Sequence, residues 1–88
     1  MNLDEVIERI TPMIADAIEH EELIIGHEDN YFLTITIVSE IFDGLRPVKR
    51  QQMVYQPLNE LIADGTIHAV KIKAMTAEEW RLHKKLNF

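Results

Sequence analysis

Tyr31-Phe32-Leu33-Thr34-Ile35-Thr36-Ile37-Val38-Ser39 is the stretch from which the rest of the chain can be organised. Leu33, Ile35 and Ile37 alternate with Thr34, Thr36 and Val38, and β-branched residues dominate. That period of two predicts a strand over 31–39, with the leucine and isoleucines facing a helix layer and the threonines facing the other side of the sheet. Upstream, Glu22 to Ile25 reads as a short strand, and Gly26-His27-Glu28-Asp29-Asn30 as a polar hairpin loop joining the two.

Further upstream, Leu3, Ile7, Ile10, Ile14, Ala17 and Ile18 recur at helical spacing, interrupted by Pro12. Proline removes a hydrogen bond and crowds the preceding turn. The expectation is a helix over about residues 12–20, capped by Thr11 with Pro12 at its first position, after a shorter or frayed turn. Downstream, Asp43-Gly44 is a turn and Arg46-Pro47 opens a helical segment. Val54, Leu58, Leu61 and Ile62 form one apolar stripe. Pro57 divides it into a short helix near 47–54 and a longer one running to Ala63 or Asp64, stopped by Gly65. Ile67 to Ala74 is a third strand, with Ile67, Ala69 and Lys71 on one face and His68, Val70 and Ile72 on the other. Thr76 and Glu79 are spaced as a capping box and start a last helix, which carries Trp80 and ends near Lys84 and Lys85. A lone tryptophan in a thin core reads as a core anchor.

The order is α-β-β-α-α-β-α. It implies an α/β (α+β) fold in a single domain spanning residues 1–88: one three-stranded sheet with helices packed on one side. No apolar run approaches the ~20 residues needed to span a bilayer, so no membrane association is expected. Met1-Asn2-Leu3-Asp4-Glu5 has neither a basic leader nor an apolar signal core, so a cytoplasmic location is expected. With no cysteine, the chain has no disulfide, no thiolate nucleophile and no thiolate metal ligand of its own. It has no nucleophile–base motif or Gly-rich phosphate loop, and an enzyme is not expected. The net charge of −6 is unevenly spread: residues 1–43 hold eleven acidic residues and one basic one, Arg9, whereas residues 44–88 hold eight basic and four acidic. The basic half reads either as a solvated face or as a surface for an acidic partner or nucleic acid.

Four segments, Val38-Ser39-Glu40-Ile41-Phe42-Asp43-Gly44, Lys49-Arg50-Gln51-Gln52-Met53-Val54-Tyr55, Ile67-His68-Ala69-Val70 and Thr76-Ala77-Glu78-Glu79-Trp80, together resemble the BolA family, and its IbaG-like branch in particular. The resemblance covers about residues 12–82 and implies a fold similar to class II KH domains. It also implies a role for His68. In BolA-like proteins the histidine of this motif is taken as a ligand for a [2Fe–2S] cluster shared with a monothiol glutaredoxin, which supplies its own cysteine and the thiol of glutathione. By residue type alone, His68 reads first as a strand histidine bonded to a neighbour, and it is the resemblance that reverses this. A second ligand is common in BolA relatives in the loop between the first two strands; here Tyr31 and Phe32 occupy that place, and His27 is the substitute. The resemblance thus implies an adaptor in iron–sulfur trafficking or in the iron and stress response, working as a heterodimer with a glutaredoxin; a weak homodimer is a further expectation.

The alternative reading is a DNA-binding transcriptional regulator using Arg46, Lys49 and Arg50 on phosphates and Gln51 and Gln52 on base edges. Against it stand the overall acidity of the chain and the absence of a Gly-x-x-Gly loop.

Overall fold

The central strand of the sheet buries the side chains that its alternation assigns to a helix layer. In the computed structural model, which describes residues 2–28 and 32–86, this strand is β2, Phe32–Val38. Leu33, Ile35 and Ile37 are at most 1% exposed, while Thr34 and Thr36 are half-buried on the opposite face. β2 pairs antiparallel with β1, Glu22–His27, and parallel with β3, Ala69–Met75. The strand order is β1-β2-β3.

The helix layer covers the Leu33-Ile35-Ile37 face. Helix α1, Leu3–Ala17, contributes Val6, Ile10 and Ile14. Helix α2, Pro47–Tyr55, contributes Val54, and helix α3, Asn59–Ala63, contributes Leu61. Ile18, Phe42, Leu58 and Ile67 complete the same buried cluster. Helix α4, Ala77–Leu86, follows β3 and has no buried residue. The order and the one-sided packing are those expected from sequence.

Several boundaries differ from the sequence reading, each for a physical reason. The first helix does not restart at Pro12 but runs through it from Leu3. Asn2 caps it, its Oδ1 accepting from Glu5 N at 2.9 Å. The donor that Pro12 lacks would have served the Glu8 carbonyl on the exposed side, and the Thr11 hydroxyl donates to Ile7 O at 2.6 Å rather than capping. The buried stripe Val6-Ile10-Ile14 spans the proline, so burial on both sides outweighs its penalty.

β1 continues to His27, which is therefore a strand residue and not a loop residue. Tyr31 and the loop positions 29 and 30 lie outside the described residues. Pro57 sits in a 3-10 turn, Gln56–Leu58, so the expected longer helix is the five-residue α3. A second 3-10 turn, Glu40–Phe42, was not anticipated; Ser39 caps it and Phe42 plugs the core. β3 begins at Ala69, so Ile67 lies outside the strand alternation and enters the core. Trp80 is half-buried and does not belong to the core cluster, contrary to its expected role as an anchor. It stacks on His83 with ring centroids 5.8 Å apart, and Lys84 Nζ lies 5.2 Å from its ring centroid.

The capping box is formed. Thr76 N donates to Glu79 Oε1 at 2.9 Å, and Glu79 N donates to Thr76 Oγ1 at 3.3 Å. Glu79 also receives Arg50, and these bonds hold its carboxyl below the usual carboxylate range, the Arg50 side chain being the largest cause. A carboxylate with a depressed folded pKa contributes stability that is complete above its unfolded value, about 4.3, and is lost as pH falls through the folded one. Glu79→Gln is therefore expected to lower the melting temperature at pH 7. The gap to the unchanged chain should close in acid, below the folded pKa; thermal melts across pH 3–7 would check this.

Candidate functional site at the His68 end of the sheet

His68 is set between two fixed points. On its N-terminal side α3 closes through a turn at Asp64-Gly65. Gly65 adopts φ +84°, a region that glycine enters without strain, and Asp64 Oδ1 accepts from Thr66 N at 2.8 Å. Ile67 is then buried, its N–H donating to Leu61 O at 3.1 Å. On the C-terminal side Ala69 pairs with Phe32 of β2. His68 stands between a buried anchor and the first paired residue of a strand, and it is exposed. Because it precedes the strand, alternation does not set its direction.

His27 is at the same end of the sheet. It pairs with Leu33, which pairs with Val70. His27 thus lies on β1 and His68 just before β3, with β2 between them; His27 and Val70, two residues after His68, are roughly 10 Å apart across two strand spacings. The His27 ring is turned toward α1, its Nε2 lying 3.2 Å from Asp4 Oδ1. A carboxylate only accepts, so Nε2 carries the proton in this contact. Asp4 was not singled out from sequence, because 23 positions separate it from His27 and no local pattern links them. Nearby, Lys71 bridges to Glu28 at 3.0 Å and lies 5.3 Å from the Phe32 ring centroid. Lys71 and Lys73 pair with Thr34 and Thr36, so they occupy the face away from the helices.

The residues expected to contact DNA divide between surfaces: Lys49 and Gln52 share one groove, Gln51 lines another, and Arg50 turns inward. Arg46 is the exposed residue before α2, and its side chain makes no capping bond. Lys49 and Gln52 are exposed and line one groove with Met53 and Tyr55. Gln51 lines a different groove, against β3 and His83. Arg50 turns inward, with 13% of its side chain exposed. Its Nε donates to Leu45 O at 2.9 Å, its Nη1 to Ala74 O at 3.1 Å and Glu79 Oε1 at 2.6 Å, and its Nη2 to Glu79 Oε2 at 3.3 Å. The guanidinium thus ties α2, β3 and α4 together.

Among the described residues no group of three or more histidine, aspartate or glutamate side chains could hold a metal ion, and the chain has no cysteine. Among them, too, no helix is long and apolar enough to cross a membrane.

Known proteins share this fold. A family model described as BolA-like protein matches residues 10–79. The acid stress protein IbaG of Escherichia coli K12 is 45% identical over 78 residues, which is 89% of this chain and 92% of that protein. Among solved structures, BolA1 from Arabidopsis thaliana superimposes with a TM-score of 0.70 at 32% identity, covering 82% of this chain and 92% of that one. BolA1 from Mus musculus gives 0.75 at 28% identity, covering 90% and 71%. With its α-β-β-α-α-β-α order, its three-stranded sheet and a family match across most of its length, the chain belongs to the BolA family, in the IbaG-like branch.

Proposed function

We propose that the chain is a cytoplasmic adaptor that binds a monothiol glutaredoxin and shares with it a glutathione-ligated [2Fe–2S] cluster, in iron–sulfur trafficking or in the iron and stress response. The observation that carries this reading is the placement of His68: exposed, with fixed backbone on both sides, at one end of the sheet. Such a cluster takes four protein-type ligands, and a chain without cysteine cannot supply the thiolates. One imidazole from this chain fits a half-site completed by a partner. Neutral imidazole suits iron, and replacing thiolate by histidine raises the cluster potential.

His27 is the candidate for a second contact. With Nε2–H donated to Asp4, Nδ1 is the nitrogen that bears the lone pair in the neutral ring. This geometry favours the cluster reading over duplex binding. For duplex binding Arg50 is committed inward, and Gln51 faces a different groove from Lys49 and Gln52.

The test mixes the chain with a glutathione-loaded monothiol glutaredoxin and records visible absorption and circular dichroism. His68→Ala is expected to lose the heterodimer cluster spectrum, and an unchanged spectrum would remove the ligand assignment. His27→Ala in the same assay reports whether β1 contributes: a shifted spectrum or faster cluster loss is expected if it does.

A further inference from the structure

A second surface lies at the other end of the sheet, where β1 begins and β2 ends. There the C-terminus of α1, the 3-10 turn after β2 and the end of α2 enclose a groove of about 710 Å³. Its size falls within the range of binding pockets, about 300–1,000 Å³. Ile18, Ile41, Met53 and Pro57 give it an apolar floor, and Ile41 is 38% exposed. Methionine adapts its shape to whatever packs against it.

The rim is negative from three sources. Asp16 and Glu19 line the groove itself. Glu21 and Glu40 line an adjoining depression that shares Glu19 and Ile41 with it. The carbonyl end of α1 also points here, and the last turn of α1 has no basic residue to offset its dipole. His20 turns back on the chain, its Nδ1 donating to Ile18 O at 2.8 Å. Arg9, the only basic residue of the first 43, sits near Asp64 instead. Lys49 borders the next depression, beyond Met53.

From this complementarity we infer that the groove docks a basic amphipathic helix of a partner protein, apolar side chains on the Ile41–Met53 floor and lysine or arginine against Glu19 and Glu40. The residues that line the groove come from α1, the two positions after it, the two 3-10 turns and α2, and none of them belongs to a strand that could offer its edge for main-chain pairing there. The occupant must therefore satisfy its own backbone and anchor through side chains, which a helix does. The surface is at the opposite end of the sheet from His68, so it would let one chain hold two proteins at once. It does not depend on the cluster reading.

The experiment titrates the full ¹⁵N-labelled chain with a synthetic helical peptide carrying leucines at i, i+4 and i+7 among lysines, and with a twin in which the lysines are glutamates. The lysine peptide is expected to shift the amides of Ile18, Ile41 and Met53 and to bind at least tenfold more tightly than its twin. Ile41→Lys and Glu19→Lys change exposed side chains, so both chains should fold, as circular dichroism would confirm. Each should weaken binding at least fivefold, while His68→Ala leaves it unchanged. Equal binding of the two peptides, absence of binding, or shifts centred on Ala69 and Val70 would overturn the proposal. So would movement of the same amides with concentration of the chain alone, which would make a second copy the occupant.

Discussion

Arg50→Ala is expected to destabilise the fold by about 2–3 kcal/mol. The guanidinium donates to two backbone carbonyls, Leu45 O and Ala74 O, as well as to the Glu79 carboxylate. Removing it leaves these acceptors without that partner in a partly buried place. The effect is held below that of a fully buried ion pair because 45% of the Glu79 side chain is exposed. For a domain of this size the loss corresponds to a fall in melting temperature of roughly 10–20 °C. Lysine at this position keeps the charge but cannot serve the carbonyls and the carboxylate with one planar fork, so Arg50→Lys should recover only part of the loss. Lys71→Ala, which breaks the exposed pair with Glu28, is the contrast, with an expected cost below about 1 kcal/mol. Thermal or urea denaturation of the three variants would measure all of this, and equal melting temperatures for Arg50→Ala and Lys71→Ala would show that the clamp does not stabilise the fold.

Phe42→Ala is expected to cost more, about 3–5 kcal/mol, because it removes an aromatic side chain that is 0% exposed and leaves a cavity beneath the helix layer. Phe42 ends the 3-10 turn that follows β2, and its ring belongs to the cluster shared by α1, β2 and α2. Small domains are stable by only about 5–15 kcal/mol, so the variant is expected to lie close to the unfolding threshold. Urea denaturation should show a much lower midpoint with a similar slope. A midpoint close to that of the unchanged chain would mean that the cluster repacks around the missing ring.

The elements were legible in the sequence where a local pattern carried them. β2 is readable because burial of one face produces the Leu33-Ile35-Ile37 alternation directly, and the start of α4 because Thr76 and Glu79 satisfy each other within one turn. What was misread depended on tertiary packing. Pro12 looks like a helix start until the stripe Val6-Ile10-Ile14 is seen to be buried on both sides of it. Ile67 looks like a strand residue until its N–H is seen bonded back to Leu61 O.

The site was legible only in part. Resemblance singled out His68, and the structure adds its fixed backbone and exposure. Arg50 read as a phosphate contact or a solvated cation on a helix because two of its partners, Ala74 and Glu79, lie 24 and 29 positions away. No helical spacing could have revealed that it faces inward. The acidic groove was foreshadowed by the charge asymmetry of the two halves, but the apolar floor that gives it a shape comes from the end of α1, both 3-10 turns and α2.

His68 as an iron ligand is the central proposal, and nitrogen hyperfine coupling reads that bond directly. The chain would be labelled with ¹⁵N-histidine, combined with unlabelled glutathione-loaded glutaredoxin, reduced to the mixed-valent state and measured by pulsed electron paramagnetic resonance. The predicted result is strong coupling to a directly bound imidazole nitrogen that changes with the label and is absent from the His68→Ala complex. A spectrum without label-dependent coupling, or one that keeps it after His68→Ala, would contradict the assignment.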